Sequence, residues 1–389
     1  MSECGVKEFK LRELLKIYNG TKYDHLNKGD IPLYGSGGLM SHVNEALYSG
    51  EAILLPRKGT LSNIMYVNES FWTVDTMYYA VVNDKLADAF YLYSYLSQLD
   101  LSNLDSGSTL PSMTKSAYES IVVKLPDLKI QKAVATILFN IRKKLEINNQ
   151  INQELEAMAK TLYDYWFVQF DFPDQNGNPY KSSGGKMVYH PELKREIPEG
   201  WGVAKVEDIA QTGSGGTPKS TNVSYYSNGE IPWINSGELE QTVITSTSNF
   251  ITEEGLNNSS AKLFPSGTIL VAMYGATAGK VSFLTFEAST NQAICAIMLN
   301  DIRMRYYLKN VIEDLYQYLV KLSTGSARDN LSQDMIKNIK VVIPSNDILD
   351  RYYDFSNNII KEITKKQQEN EQLTQLRDWL LPMLMNGQV

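Results

Sequence analysis

The chain has 389 residues, of which 43% are hydrophobic and 21% charged, which indicates two or three folded domains and excludes a disordered chain. Its 37 basic and 44 acidic residues give a net charge of −7, which argues against a surface that is basic all round. The two cysteines, Cys4 and Cys295, lie too far apart for a CxxC motif, and no apolar run is long enough to span a membrane. We therefore expect a protein of the reducing cytoplasm.

The chain contains a long internal repeat, whose two copies begin near residues 6 and 201. Four segments of the first copy recur in the second in the same order. They are GDIPLYGSG (29–37) with GEIPWINSG (229–237), SGEAILLPRKGT (49–60) with SGTILVAMYGAT (266–277), FWTVDTMYYAV (71–81) with ASTNQAICAIM (288–298), and GSTLPSMTKSAYESIVVKLP (107–126) with GSARDNLSQDMIKNIKVVIP (325–344). The second and third pairs predict core β-strands separated by polar loops.

Each copy is followed by a predicted long helix with a coiled-coil seam. After Pro126 the apolar residues advance by alternating steps of three and four, and a second seam follows Pro344 at an offset of 218. The seam positions are Ile141, Leu145, Asn148, Asn152 and Leu155 in the first helix, and Ile359, Ile363, Lys366, Asn370 and Leu373 in the second. We expect the helices to pair as an antiparallel coiled coil with pseudo-twofold symmetry, in which polar seam residues set register and orientation.

These elements predict an α+β fold in five segments. A first β-rich globular domain occupies residues 1–126, and a central long helix occupies residues 127–170. Residues 171–200 are rich in Pro, Gly, Asn and Ser, and their aromatic content predicts a linker that packs against the protein. A second globular domain, 201–344, and a distal long helix, 345–389, follow. Paired helices of this kind would hold the two globular domains a set distance apart.

The sequence matches no catalytic motif in full. The sequence MYGATAGKVS has three residues between Gly275 and Gly279 where a P-loop has four, and Val281 replaces the Ser or Thr that binds Mg²⁺. No run that clamps a flipped base in amino-methyltransferases and no nuclease carboxylate cluster stands out. The histidines lie in polar loops without metal-ligand spacing: His25, His42 and His190. The sequence therefore predicts no catalytic residue and no metal site.

Polar residues do recur at matching places in the loops of both copies. In the first copy they are Tyr34, Ser36, Arg57, Lys58, Thr60, Ser108 and Thr109, and in the second they are Asn235, Ser236, Tyr274, Lys280 and Arg328. Side chains of these types bind phosphates and the edges of bases. Any one of them could equally be a solvated loop residue, but their recurrence in both copies makes the set a candidate DNA-binding surface.

A distinctive stretch joins the two halves of the chain at residues 162–201, LYDYWFVQFDFPDQNGNPYKSSGGKMVYHPELKREIPEGW. Three of its segments have no generic helical or strand explanation: WFVQFDFP, PYKSSGG and IPEGW. With the tandem domains and the long helices after Pro126 and Pro344, it resembles the specificity subunits of type I restriction-modification systems over essentially the whole chain.

The resemblance implies that each globular domain is a target-recognition domain, which reads one half of a split, asymmetric DNA site. The helices would set the unread spacer and dock two modification subunits, which use S-adenosylmethionine to methylate adenine N6. Restriction and translocase subunits using ATP and Mg²⁺ would join them, and this chain would bind no cofactor and catalyse nothing itself. Two alternatives remain open: a protein-interaction scaffold that does not bind DNA, and an enzyme with a degenerate site.

Overall fold

The computed structural model describes residues 6–101, 111–322 and 330–385. The chain divides into two compact units, Met1–Glu146 with Gln372–Val389, and Ile147–Glu371. Each unit contains helices and a β-rich domain, which confirms the α+β fold class. The unit boundaries fall inside the two long helices, and the five-segment division stays a prediction. Among the described helices, none has the length and apolar content that crossing a membrane requires.

The first unit contains the β-rich domain 1. Its elements are β1 (Lys7–Lys10), α1 (Leu11–Leu14), β2 (Leu15–Asn19), β3 (Lys28–Gly35), β4 (Gly38–Val43), β5 (Tyr48–Pro56), β6 (Met65–Thr73), β7 (Met77–Val82), α2 (Ala89–Leu96), α3 (Lys115–Ser120) and β8 (Val122–Leu125). Six strands form one sheet in the order β2-β7-β5-β6-β3-β4, and β1 pairs with β8. Within the large sheet, β3 and β6 run parallel, with Leu33 opposite Trp72.

The central strand β5 shows why this sheet forms. Ile53 and Leu55 belong to the larger core of domain 1, whereas Ala52 and Leu54 belong to the core on the opposite face. Successive side chains of a strand point to opposite faces, so a strand covered on both sides reads as one continuous apolar run. Burying each such aliphatic side chain contributes about 1.5–3 kcal/mol.

The rest of the chain contains the long helices and domain 2. Its elements are α4 (Leu128–Tyr163), β9 (Met187–His190), β10 (Arg195–Pro198), β11 (Gly202–Lys205), α5 (Val206–Ile209), β12 (Ala210–Ser214), β13 (Ile231–Ile234), β14 (Val243–Ile244), β15 (Phe250–Ile251), α6 (Glu253–Asn257), β16 (Leu263–Phe264), β17 (Ile269–Ala272), β18 (Val281–Leu284), β19 (Ala288–Thr290), β20 (Ile294–Leu299), α7 (Arg305–Leu322), α8 (Gln333–Lys337), β21 (Lys340–Ile343) and α9 (Asn346–Met385). Domain 2 has sheets of order β12-β20-β17-β18-β14 and β15-β13-β19-β16, and β11 pairs with β21.

Inside the second unit, α4 and α9 are antiparallel. Asn148 contacts Asn370, and Trp166, in the π-helical turn Asp164–Val168 that follows α4, packs against Tyr352 at 6.0 Å between ring centroids. Residue numbers therefore rise along α4 and its π-helical turn in the direction in which they fall along α9. Inside the first unit, Val134 and Leu138 of α4 and Leu381 of α9 all belong to the core of domain 1.

Residues 171–200, predicted to form an ordered loop or linker that packs against the protein, have a defined structure. Strands β9 and β10 form a hairpin, and the ring of Phe172 stacks on Tyr180 at 4.7 Å and on Trp201 at 4.8 Å. Asp171 accepts hydrogen bonds from the backbone N–H of Ser182 at 2.7 Å and from its hydroxyl at 2.6 Å, and these lower the pKa of Asp171. This segment is therefore part of the second unit's core.

Candidate nucleic-acid interface

In domain 1, two loops that carry predicted DNA-binding residues meet. The turn after β3 holds Ser36, and the loop after β5 holds Arg57, Lys58 and Thr60. The side-chain amide of Asn63 donates to the carbonyl oxygen of Ser36 at 2.9 Å, which ties the two loops together. Arg57, Lys58 and Thr60 are exposed, so the structure places two positive charges and two hydroxyls on one loop surface.

Domain 2 brings together the corresponding loops. The hydroxyl of Thr277, in the loop after β17, donates to the carbonyl oxygen of Ser236 at 2.8 Å. The side-chain amide of Asn291 donates to Oδ1 of Asn235 at 3.3 Å, which orients that carboxamide. Tyr274 lies exposed on the same loop as Thr277. The carbonyl of the serine after β3 or β13 is thus the shared acceptor in both domains, although the donor differs.

A backbone hydrogen bond gives the residue equivalence more accurately than the sequence match. The N–H of Met113 donates to the carbonyl oxygen of Arg57 at 3.0 Å, and the N–H of Leu331, which corresponds to Met113 at the offset of 218, donates to the carbonyl oxygen of Met273 at 2.8 Å. Arg57 thus corresponds to Met273. Ile53 therefore corresponds to Ile269, an offset of 216, whereas aligning Ser49 with Ser266 implied 217. The corrected offset pairs Lys58 with Tyr274. It also pairs Gly59 with Gly275, whose φ angles of 89° and 91° are in the left-handed region that favours glycine.

The side chains of Tyr34 and Lys280 line cavities. The Tyr34 hydroxyl donates to Glu69 Oε1 at 3.2 Å, and burial together with that carboxylate raises the pKa of Tyr34 to about 12. Tyr34 lines a small cavity with Phe139 and Arg142 of α4. Lys280 is exposed and lines a different cavity, beside Lys160 of α4 and Tyr316 of α7. The remaining candidates, Ser108, Thr109 and Arg328, lie outside the described residues.

Sequence reasoning missed the residues that hold the loops. Asn63, Thr277 and Asn291 were not singled out, although Thr277 ends one of the repeated segments. Glu238 was also missed, and it accepts a hydrogen bond from the backbone N–H of Asn235 at 2.8 Å. An Asn followed three residues later by a Glu is a helix-capping signature, which could have identified Glu238.

The predicted seam residues of the helices are all buried or half-buried. Near the middle of the seam, Nδ2 of Asn148 donates to Oδ1 of Asn370 at 2.9 Å and to Oε2 of Glu369 at 2.9 Å. Nδ2 of Asn370 donates in turn to Oδ1 of Asn149 at 2.8 Å. Lys366 reaches Glu369 at 3.2 Å. A hydrogen-bonded polar layer therefore interrupts an otherwise largely apolar seam.

Two β-rich domains with the same strand-pairing pattern, each followed by a long helix, define a protein that is built from two copies of one module. The chain belongs to the family of the type I restriction modification DNA specificity domain, whose model matches residues 3–157 and 198–375. The match covers both copies of the repeat, so the resemblance noted from the sequence is confirmed.

Two relatives of this chain are specificity subunits of type I restriction enzymes. It is 26% identical over 294 residues to the type I restriction enzyme MjaIX specificity subunit of Methanocaldococcus jannaschii, covering 74% of this chain and 65% of that protein. It is 26% identical over 333 residues to the HindI specificity subunit of Haemophilus influenzae, covering 72% of each. The fold is similar to the type I restriction-modification S subunit from M. genitalium, with a TM-score of 0.68, 14% identity and coverage of 99% of this chain and 97% of that one.

Proposed function

We propose that this chain is the DNA sequence-recognition subunit of a type I restriction-modification enzyme, working in the cytoplasm, with each β-rich domain reading one half of a bipartite, asymmetric site. One observation carries the proposal. In both domains the loop after β3 or β13 is hydrogen-bonded to the loop after β5 or β17 through the carbonyl of Ser36 or Ser236. The scaffold is duplicated while the exposed side chains on it differ, as two readers of different half-sites require.

The long helices would set the unread spacer and dock two modification subunits. Exposed apolar side chains at equivalent positions support two such docking sites, because Met158 of α4 and Leu376 of α9 are related by the offset of 218 and are 53% and 42% exposed. S-adenosylmethionine would be bound by the modification subunits, and ATP with Mg²⁺ by the restriction subunits. This chain would contribute recognition and no catalysis.

The net charge of −7 limits how this chain holds DNA. Phosphate contacts come from concentrated positive charge, and Arg57 and Lys58 supply such a pair on the loop surface of domain 1. The corresponding loop of domain 2 has Met273 and Tyr274 at these positions. Further phosphate contacts would come from the partner subunits.

The test uses the complex of this chain with its modification subunit. We expect it to bind duplex DNA carrying its bipartite site at least a thousandfold more tightly than unrelated duplex, measured by fluorescence anisotropy. Affinity should fall steeply as salt concentration rises. Binding without sequence preference or salt dependence would instead support the scaffold. Saturable binding of S-adenosylmethionine to this chain alone would support the degenerate enzyme.

A loop variant localises the contact. Arg57→Gln with Lys58→Gln should weaken binding similarly for all sequences and reduce the salt slope by about two, because two phosphate contacts are lost. Lys115→Gln with Lys124→Gln is the matched control, since these exposed lysines lie in domain 1 outside both loops. Equal effects of the two double variants would contradict the assignment of this loop.

A further inference from the structure

The segment between the two paired loops is longer in domain 2 than in domain 1. Trp233 corresponds to Leu33 at an offset of 200, and Ile269 corresponds to Ile53 at an offset of 216, so domain 2 has 16 more residues here. In domain 1 the chain turns directly from β3 into β4. In domain 2 it forms β14, β15, α6 and β16 before reaching β17.

Glu238, near the start of this longer segment, joins two parts of it. Its Oε1 accepts from the backbone N–H of Asn235 at 2.8 Å and from Nδ2 of Asn249 at 3.1 Å. Its Oε2 accepts from the hydroxyl of Thr247 at 2.7 Å. The backbone N–H of Trp233 also donates to the carbonyl oxygen of Asn249 at 2.9 Å. One half-buried carboxylate therefore fixes the loop of Asn235 against the stretch that leads into β15.

The same segment is tied to both long helices within the second unit. Thr242 donates its hydroxyl to Glu156 of α4 at 2.5 Å. The hydroxyl of Thr245 donates to Glu371 of α9. Thr242 and Thr245 flank β14, so this strand is held on both helices. Through Glu238 and Thr247, the loop that holds Asn235 is connected to the residues that follow β14. Charge-assisted hydrogen bonds of this kind are short and directional, so they hold a loop in one conformation.

We propose that Glu238 is a positioning residue for half-site reading by domain 2: it holds Asn235 at the angle at which its carboxamide meets a base edge. Carboxamides recognise adenine through two hydrogen bonds, which demand a fixed backbone. In domain 1 the position that corresponds to Glu238 is Gly38, so this carboxylate has no counterpart at that position. The inference rests on the proposed function, because it assumes that domain 2 reads DNA.

The test maps methylated adenines in DNA exposed to the complex of each variant with the modification subunit. Glu238→Ala should reduce methylation of the native site about tenfold and make the half-site read by domain 2 degenerate, while the half-site read by domain 1 and the spacer stay unchanged. Glu238→Gln keeps acceptors for Asn235 and Asn249 and should retain most of the specificity. Glu240→Ala, an exposed glutamate two residues away, is the matched control and should match the wild type.

The outcomes separate this inference from the proposed function. If the wild-type complex reads a bipartite site and Glu238→Ala leaves both half-sites sharp, the positioning role is wrong and the proposed function stands. If Glu238→Ala impairs both half-sites equally, the residue supports general folding only. Hydrogen exchange of domain 2 supplies a second measurement, in which we expect faster exchange limited to residues 235–250 and no change in β17 or β20. Global loss of protection would also overturn the inference.

Discussion

Domains 1 and 2 share their strand pairing and differ in how their sheets continue. In domain 1 the nine-residue strand β6 pairs with β5 along its length and with β3 at its end, which joins six strands into one sheet. In domain 2 the segment equivalent to β6 is divided into two strands, β18 and β19. Strand β18 pairs with β17 and strand β19 pairs with β13, so domain 2 has two sheets. The pairings that build the core are duplicated, whereas the connections between them have diverged. This is what a pair of readers with one scaffold and two targets needs.

The domains also differ in how each is attached to a long helix. Tyr66 and Phe283 occupy equivalent strand positions, and each ring has an arginine over it, Arg142 at 6.0 Å and Arg305 at 5.7 Å. Arg142 belongs to the long helix α4, whereas Arg305 belongs to α7 of domain 2 and donates to Asn357 of α9 at 2.6 Å. Burial lowers the pKa of Arg305. The cation–π contact thus joins domain 1 to α4 directly. In the second unit the cation–π contact lies within domain 2, and Arg305 reaches α9 through its hydrogen bond to Asn357.

The largest expected effect comes from exchanging one domain. Replacing residues 201–344 with the corresponding segment of a relative should change one half-site completely and leave the other unchanged, because each domain has its own core and its own loop pair. Each mismatched base pair typically costs about 1–3 kcal/mol, so the original half-site should no longer be methylated detectably. Methylome mapping gives the answer, and a change in both half-sites would contradict independent reading.

A second prediction treats the helix pair as a ruler. Helix α4 has 36 residues, so it is about 54 Å long, or between one and two turns of duplex DNA. Inserting one heptad after Asn148 and one after Lys366 keeps both seams in phase and adds about 10 Å. The unread spacer should then grow by up to about three base pairs, with both half-sites unchanged.

Insertion of one heptad alone is the control for the ruler. It makes one helix about 10 Å longer than the other, so the pair is mismatched and folding or subunit docking should be damaged. Methylated adenines mapped across a genome report the spacer directly. An active double-insertion complex that still used the original spacer would rule out the ruler.

Much of the scaffold could be predicted from the sequence because the segments that recur in both halves of the chain form equivalent strands and helices. The apolar runs of β5 and β17 and the seams of α4 and α9 follow from side-chain periodicity alone. The division of β6 into β18 and β19 could not be predicted, since it depends on where the chain bends in three dimensions. Contacts such as Asn63 with Ser36 were equally hidden, because they join residues that are 27 apart through a backbone carbonyl, which has no sequence signature.

A third prediction tests the equivalence of the domains through glycine. A Cβ on Gly20 would lie 2.0 Å from the carbonyl oxygen of Val74, and a Cβ on Gly215 would lie 2.0 Å from that of Thr290. Gly20→Ala and Gly215→Ala should each reduce the free energy of unfolding by about 3 kcal/mol, because the backbone must move apart. Hydrogen exchange should locate each loss in its own domain.

The matched controls are Gly37→Ala and Gly237→Ala, at equivalent turns. A Cβ at either position meets nothing within 4 Å, and we expect changes within about 0.5 kcal/mol. A loss at Gly20 without a comparable loss at Gly215 would show that the two sites are not equivalent.

The smallest expected effect concerns the polar layer of the helix seam. Asn148 and Asn152 lie one turn apart on α4 and are both buried, but they differ in their contacts. Asn148 donates to Glu369 and Asn370. Among the described side chains, Oδ1 of Asn148 and Oδ1 of Asn152 are both buried with no hydrogen-bond partner, so the two residues differ in the hydrogen bonds that Nδ2 of Asn148 donates. A buried polar atom without a partner costs about 1–3 kcal/mol, whereas removing one member of a bonded pair leaves the other member unsatisfied.

The two substitutions should therefore have opposite signs. Asn152→Leu should raise the free energy of unfolding by about 1 kcal/mol, and Asn148→Leu should lower it by a similar amount because Asn370 loses its donor. The double variant Asn148→Leu with Asn370→Leu removes both partners and should recover at least the stability of the wild type. Thermal unfolding of the three variants decides the matter. A rise for Asn148→Leu as large as that for Asn152→Leu would mean that the Asn148–Asn370 hydrogen bond contributes nothing to the pairing of the helices.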